Sequence, residues 1–267
     1  MALAKDLGVS VSSLYYEKKL PQKDNILKIR IEEAFRYHPS YGHRRLAIHL
    51  KINRKRIRRV MKLFDLHPYR RSGKTPKKSS RIKRSAYPNL IRDIALQYPG
   101  HIWAADFTYL SYQGKFLYVA TVIDVFTRRI VGWAAMRSHT TSLILHALFM
   151  ALSAHPRPAI FHSDNGSEYA SHIFTRVLME TGMTISRIAP GCPWENGYQE
   201  SFYAQFKIDL GDPNRFQSLG ELVYEIAKTI WYYNHTRIHT AIKMPPAIYA
   251  QRHERKLVEF HSKERGA

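Results

Sequence analysis

The chain has 267 residues and a formal net charge of +21, and 45% of its residues are hydrophobic. This apolar content can form a sizeable core and excludes a wholly disordered chain. No apolar run reaches the roughly 18 residues of a membrane span, and the first residues do not have the pattern of a signal peptide. The single cysteine, Cys192, excludes an internal disulfide framework and favours a reducing cytoplasm.

The positive charge is concentrated in the first third of the chain. Residues 1–90 contain 24 Lys and Arg against 6 Asp and Glu, whereas residues 91–267 contain 18 against 15. A basic region of this kind favours a nucleic acid, because each neutralised phosphate releases counterions and strengthens binding. The alternatives are a general solubility charge and RNA binding of the ribosomal type.

Two segments of the basic region have helix-turn-helix features. Residues 3–16 resemble the second half of such a motif, because Gly8 interrupts a short amphipathic helix and Ser10 can cap the next one. Residues 43–65 give a stronger pattern: a helix, a turn at residues 51–52, and a second helix capped by Asn53. We expect this basic region to be all-α.

The second helix of the stronger segment has one apolar face and one cationic face. Apolar residues recur at helical spacing from Ile57 to Phe64, and few acidic residues separate the basic ones. A cationic helix after a tight turn is suited to the major groove of DNA. The predicted DNA contacts on this helix are Arg54, Lys55, Arg58, Arg59 and Lys62.

Composition and patterning divide the chain into four parts. Residues 1–67 form the basic helical region, and residues 68–90 form a basic linker rich in Pro, Gly and Ser. Residues 91–217 form an α/β core: three strands joined by tight turns, followed by alternating helices and strands, predict a mixed five-stranded sheet flanked by helices. Residues 218–267 form a helix packed on this core and a tail.

Three carboxylates of the core are candidate ligands of a divalent cation. Asp106 interrupts an otherwise apolar strand, and Asp164 follows a second strand at a turn in which Gly166 would tolerate a positive φ. Glu200 lies on a helix, and its face of that helix also carries Asn196 and Lys207. Carboxylate oxygens suit Mg²⁺, and a pair of such ions supports phosphodiester chemistry.

Three other acids are weaker candidates for the same site. Asp124 precedes a tight turn, where a carboxylate usually caps the turn. Glu168 lies four residues after Asp164 and is close enough in sequence to support the site from outside. Glu195 lies about 140° around the helix from Glu200, so the two should not share a face.

Three sequence blocks resemble the signature of insertion-sequence transposases with a retroviral-integrase-like core. The blocks are WAADFTYL, FHSDNGSEY and CPWENGYQESFYAQFK, and 35 residues separate Asp164 from Glu200, as is usual in that family. The segments HPSYGHRRL, IDVFTRRIVGWAA and YYNHTRIH also match, so the resemblance extends over about residues 36–249.

The resemblance implies a ribonuclease-H-like fold and a DNA transposase that cuts the element's ends and joins the 3′ hydroxyl to target DNA. It implies Asp106, Asp164 and Glu200 as the metal-binding and catalytic triad, holding two Mg²⁺ ions for which Mn²⁺ would substitute. It also implies that Lys207 contacts DNA, that the protein forms homo-oligomers, and that an upstream reading frame supplies a further segment. The setting would be the cytoplasm of a prokaryote, near the nucleoid.

The residues themselves leave further roles and two other functions open. Asn165 and Asn196 would support the triad from outside, and Arg237 would either bind DNA phosphate or satisfy carbonyls at a helix end. One alternative function is a nuclease of the same fold that cuts but does not join. The other is an inactive DNA-binding protein derived from an element.

Overall fold

The computed structural model describes Gly8, Ser10 and residues 19–70, 87–92, 94–188 and 196–254. The helix-turn-helix prediction for residues 3–16, apart from Gly8 and Ser10, lies outside these ranges. So do most of the linker, Glu195 and the predicted tail after residue 254. The chain divides into two compact units, Met1–Tyr69 and Arg70–Ala267.

The first unit contains three described helices, α1 (Lys19–Tyr37), α2 (His43–Leu50) and α3 (Arg54–Leu63). Lys51 closes α2 in the left-handed conformation with φ 55°, and its amide donates to carbonyls of the last turn. The Asn53 side chain accepts from the Lys55 amide at 2.8 Å and so caps α3. The predicted helix, turn and capped helix of residues 43–65 are therefore confirmed.

The helix α1 was missing from the sequence prediction. Leu27, Ile31 and Ala34 are buried on one face of it, at helical spacing. Ile26 and Ile29 of the same helix are exposed, by 60% and 63%, so apolar residues occur all round it. This distribution hides the buried stripe that would have indicated a packed helix.

The described part of the second unit contains a sheet of five strands and the helices that flank it. The strands are β1 (Ile102–Tyr112), β2 (Lys115–Asp124), β3 (Ile130–Met136), β4 (Ile160–Ser163) and β5 (Thr184–Arg187). The helices are α4 (Thr141–Ala154), α5 (His172–Glu180), α6 (Gly197–Leu210) and α7 (Leu219–His235). A 3₁₀ turn covers Pro213–Arg215, and residues 246–254 are also helical.

The sheet has the strand order β3-β2-β1-β4-β5. The first three strands pair antiparallel, whereas β4 and β5 run parallel to β1. Because β1 is the central strand, Asp106 lies in the middle of the sheet, opposite Thr121 of β2. This mixed, helix-flanked sheet confirms the predicted ribonuclease-H-like fold.

The two faces of the sheet are covered by separate clusters of apolar side chains. Ala104 and Leu110 of β1 pack in the cluster that includes α6 and α7. Trp103 and Ala105 pack in the other cluster, with α4 and α5. Since side chains alternate along a strand, Asp106 belongs to the face covered by α6.

Asn234 attaches α7 to the edge of the sheet. Its side-chain oxygen accepts from the Ile130 amide at 2.9 Å, and its side-chain nitrogen donates to the Ile130 carbonyl at 2.9 Å. The helix α7 continues one residue beyond Asn234, to His235. Within the described ranges, no helix is both long and apolar enough to cross a membrane.

Candidate active site

Asp106 is a half-buried carboxylate whose surroundings are short of positive charge. Burial raises its pKa from 3.8 to about 7, and the negative charges of Asp164 and Glu200 add to that rise. The Phe107 amide, which donates to Asp106 Oδ1 at 2.8 Å, and the charge of Lys207 lower the pKa and offset part of the effect. The three predicted carboxylates are therefore close enough to interact electrostatically.

Asp164 follows β4 directly and is held by the turn that comes after it. Its Oδ1 accepts from the Gly166 amide at 2.9 Å, and the Asn165 side chain donates to the Ile188 carbonyl at 2.7 Å. Burial raises the pKa of Asp164, while the Gly166 amide and the nearby Arg187 lower it. Asn165 therefore ties the turn to the chain beyond β5, which fixes where the carboxylate is presented.

Gly166 is required in this turn for a different reason from the one predicted. Its φ is not positive. A Cβ at this position would lie 3.0 Å from Asp164 Oδ1 and 3.2 Å from Glu168 Oε2. The glycine therefore keeps space open beside two carboxylates, and its tolerance of a positive φ is not used here.

Arg187 is a site residue that the sequence analysis missed. It is only 2% exposed at the end of β5, and its guanidinium donates to the Ser163 hydroxyl and to the Tyr169 carbonyl, the latter at 2.7 Å. Its charge lowers the pKa of Asp164. A lone arginine in a short apolar strand was the available signal, because a buried guanidinium needs a charged or polar partner.

The helix α6 carries Glu200 and Lys207. Glu200 is exposed, and Lys207 places its ammonium 5.2 Å from the centre of the Tyr109 ring. Asn196 precedes the helix and is buried, but its side chain does not cap α6. Its Oδ1 has no hydrogen-bond partner among the residues that the structure describes.

A buried polar network, absent from the sequence analysis, fastens α6 to the sheet. Gln199 donates to the carbonyls of Ala104, at 2.7 Å, and Thr121, at 3.1 Å. The Tyr203 hydroxyl donates to the Asp106 carbonyl at 2.6 Å, and the Thr121 hydroxyl contacts Gln199 and Tyr203 at 2.9 Å. These bonds fix the helix that carries Glu200 to the strand that carries Asp106.

The weaker acidic candidates have local roles. Asp124 accepts from the Gly100 and Phe126 amides and from the Thr127 hydroxyl, so it is a turn cap as expected. Glu168 Oε1 lies 2.6 Å from His139 Nδ1. The other carboxylate oxygen of Glu168 borders the space beside Gly166.

The carboxylates of Asp106, Asp164 and Glu200 are of the chemical kind that binds a divalent cation, although they are not arranged as a complete metal site. Within the described part of the chain, no group of three His, Cys, Asp or Glu side chains is arranged to hold a metal ion. The excess of negative charge at Asp106 is what a cation would neutralise. The buried Tyr169 hydroxyl, whose pKa is raised by burial and by Asp106, also has no hydrogen-bond partner among those residues.

The predicted DNA contacts of the first unit are on the surface of α3. Four of them have exposed side chains: Arg54, Lys55, Arg58 and Lys62. Arg59 is also exposed in part, but its guanidinium is 2.6 Å from the carboxylate of Asp24, which is 3% exposed. Arg59 thus joins α3 to α1 as well as contributing charge to the surface.

Arg237 does not have the exposure that a DNA contact requires. It is 1% exposed, its Nε lies 2.6 Å from Asp209 Oδ2, and another of its nitrogens donates to Gln205. The DNA-contact prediction for Arg237 is therefore corrected. The residue forms a structural ion pair that joins the end of α7 to α6.

Comparisons with known proteins agree with this fold. Residues 97–193 and 181–246 match two families, each described as "Integrase core domain". The chain also resembles a chain of the simian T-cell lymphotropic virus intasome, solved in complex with the PP2A regulatory subunit B56 gamma. The TM-score is 0.52 at 17% identity, and the match covers 79% of this chain and 70% of that one. At that identity the likeness shows the fold.

Two curated proteins are similar over most of their length. The transposase for insertion sequence element IS629 of Shigella sonnei is 31% identical over 240 residues, which cover 86% of this chain and 80% of that protein. The transposase for insertion sequence element IS904 of Lactococcus lactis is 33% identical over 236 residues, which cover 81% and 90%.

The fold and these matches define an enzyme of the polynucleotidyl transferase class with an integrase core. More specifically, the chain belongs to the insertion-sequence transposases.

Proposed function

We propose that this transposase cuts DNA at the ends of its insertion sequence and joins the freed 3′ hydroxyl to target DNA. The observation that carries the proposal is the carboxylate of Asp106, which lies half-buried on the central strand of the sheet. Asp164 and Glu200 raise its pKa further instead of compensating its charge. Buried carboxylates with too little positive charge around them are typical of sites that receive a divalent cation.

Asp106, Asp164 and Glu200 are the residues that would hold Mg²⁺, as two ions, with Mn²⁺ as a substitute. When bound, such ions activate water and stabilise the leaving 3′ oxygen of a phosphodiester. The protein's own groups hold these ligands in place: the Gly166 amide orients Asp164, and the Gln199–Tyr203 network fixes α6. Asn165 and Asn196 support the ligands from outside, and Lys207 contacts a phosphate of the terminal DNA.

The partner is double-stranded DNA, both the element's terminal repeats and the target. The exposed cationic residues of α3 supply phosphate contacts in or beside the major groove. Because both ends of an element must be cut together, the protein acts as a homo-oligomer. An upstream reading frame adds a further segment, and the setting is the prokaryotic cytoplasm at the nucleoid.

Cleavage and joining by the full chain test this proposal. The substrate is a labelled duplex that carries the element's end, with Mg²⁺ and a second duplex as target. Asp106→Asn, Asp164→Asn and Glu200→Gln should each reduce both products by at least ~100-fold, because each removes a ligand. Glu180→Gln, which changes an exposed carboxylate paired with Arg176, is the matched control and should retain activity.

The same assay separates the two alternative functions. A nuclease of this fold would release cut DNA and form no joined product. For an inactive DNA-binding protein, the wild type would give no cleavage, and Asp164→Asn would leave DNA binding unchanged. Cut DNA without a joined product, or the absence of cleavage by the wild type, would contradict the proposed reaction.

A further inference from the structure

A cavity of about 530 Å³ lies beside the first turn of α6, within the second unit. Gly197, Tyr198 and Ser201 of α6 form one side of it. Its other polar lining residues include Asn89, Arg92, Arg128 and His239, and none of the lining residues that the structure describes is acidic. The described lining therefore contributes positive charge to the cavity.

Arg128 is held at this cavity by a tightly bonded turn. Its backbone is left-handed, with φ 66°, and its amide donates to the Asp124 carbonyl at 2.8 Å. The Asp124 side chain accepts from Phe126, Thr127 and Gly100, so it closes the turn from inside. The left-handed conformation is unfavourable for an arginine, and such strain is typical of residues that a site requires.

The guanidinium of Arg128 has donors that the described part of the protein does not use. Its Cζ lies 4.1 Å from the centre of the Tyr198 ring, so the aromatic face covers one side of the group. Its Nε and Nη1 are buried, and neither has a hydrogen-bond partner among the described residues. A buried donor without a partner is unfavourable, and a charge-assisted hydrogen bond to an oxyanion would satisfy it.

We propose that this cavity binds a phosphate of the DNA strand that the neighbouring carboxylates process, with Arg128 as the main donor. This proposal rests on the proposed function, since α6 also carries Glu200. Ser201 lies about 100° around the helix from Glu200, so the cavity and the carboxylates face different directions. The phosphate in the cavity is therefore not the one that reacts, and the contact positions the strand.

Binding of the full chain to duplex DNA that carries the element's end, without divalent cations, tests the assignment. The phosphates of the processed strand are replaced one at a time by neutral methylphosphonates. Arg128→Gln should weaken binding of the unmodified duplex about tenfold, as expected for one charge-assisted contact. One methylphosphonate, away from the reacting phosphate, should weaken wild-type binding similarly and should weaken Arg128→Gln binding no further.

Two further variants keep the result interpretable. Arg176→Gln is the control, because Arg176 is an exposed arginine of α5 paired with Glu180, and it should bind DNA as the wild type does. Ser201 is an exposed residue of the lining, so Ser201→Asp adds negative charge to the cavity without disturbing the Asp124 turn. It should weaken DNA binding, while Ser201→Asn should have little effect.

Two outcomes would overturn the proposal. In the first, every methylphosphonate weakens DNA binding by Arg128→Gln as much as it weakens binding by the wild type. No single phosphate would then interact with Arg128. In the second, millimolar inorganic phosphate stabilises the wild type but not Arg128→Gln, and no DNA position is coupled, which would make the cavity a site for a free anion. Neither measurement uses cleavage, so failure of the proposed reaction would be seen separately.

Discussion

Asp209 and Asp106 are both carboxylates enclosed in the second unit, and they are neutralised differently. Asp209 lies 2.6 Å from the guanidinium of Arg237, and both side chains are almost fully buried. Asp106 has no cation within ion-pair distance among the described residues, and its neighbours Asp164 and Glu200 are acidic. The chain itself supplies the partner of Asp209. For Asp106, we propose that a bound cation supplies it.

This difference distinguishes the structural charge of Asp209 from the charge of Asp106, to which we assign a functional role. A buried ion pair that is complete within the chain joins two elements, here α6 and the end of α7. A buried carboxylate without such a partner destabilises the folded protein, and that strain is tolerated where a ligand relieves it. Three substitutions test the comparison, and each removes the charge of one aspartate: Asp209, Asp106 or Asp24.

The largest expected effect on stability comes from breaking the complete pair. Asp209→Asn leaves the guanidinium of Arg237 buried without its counterion and should lower the free energy of unfolding by about 3–5 kcal/mol. Urea denaturation at pH 7 measures the loss. Glu180→Gln, at an exposed pair, should cause little change, and an equally small effect of Asp209→Asn would contradict the structural role.

Asp106→Asn should have the opposite sign in metal-free protein. At pH 8 the carboxylate is charged in both the folded and unfolded states, and its folded-state pKa of about 7 makes that charge unfavourable in the fold. Removing the charge should raise the free energy of unfolding by on the order of 2 kcal/mol. Urea denaturation in EDTA measures the gain.

The raised pKa of Asp106 also determines how the stability gained by Asp106→Asn changes with pH. As the pH falls from 8 to 5, the folded wild type takes up a proton at Asp106 and recovers stability, because its folded pKa exceeds the ordinary value of 3.8. The advantage of Asp106→Asn should therefore shrink toward pH 5. An advantage that stays constant or grows on acidification would show that the charge of Asp106 is not the cause.

The smallest expected effect is at the half-exposed pair of the first unit. Asp24→Asn removes the partner of Arg59, whose side chain is 44% exposed, so solvent compensates much of the loss. The free energy of unfolding of this unit should fall by about 1 kcal/mol. Hydrogen exchange of the α1 amides measures it, and unchanged protection would mean that the pair does not hold α1 against α3.

The sequence predicted the core well because its signals are local. The strand that contains Asp106 was predicted, and it is β1 in the structure, since apolar residues and a tight turn mark it in the sequence. The positions of Asp164 and Glu200 followed from motif spacing. Asp106, Asp164 and Glu200 do influence one another in the structure, although their roles as ligands remain predictions.

The missed features depend on partners that are distant in sequence. Arg187 donates to Ser163 and Tyr169, and Gln199 donates to backbone carbonyls of β1 and β2. The sequence next to each residue therefore does not indicate its role. Arg237 was assigned to DNA because it is an arginine in a polar segment. Its burial depends on the packing of the end of α7 against α6, where Arg237 pairs with Asp209.

Binding of Mn²⁺ to the full chain at pH 8, measured by titration calorimetry, tests most directly whether the charge at Asp106 is balanced from outside. The wild type should bind the ion, and Asp106→Asn and Asp164→Asn should each bind it at least ~10-fold more weakly, because a lost carboxylate ligand typically removes over 1 kcal/mol. Glu180→Gln should bind as the wild type does. Equal affinity of Asp106→Asn and the wild type would contradict the account.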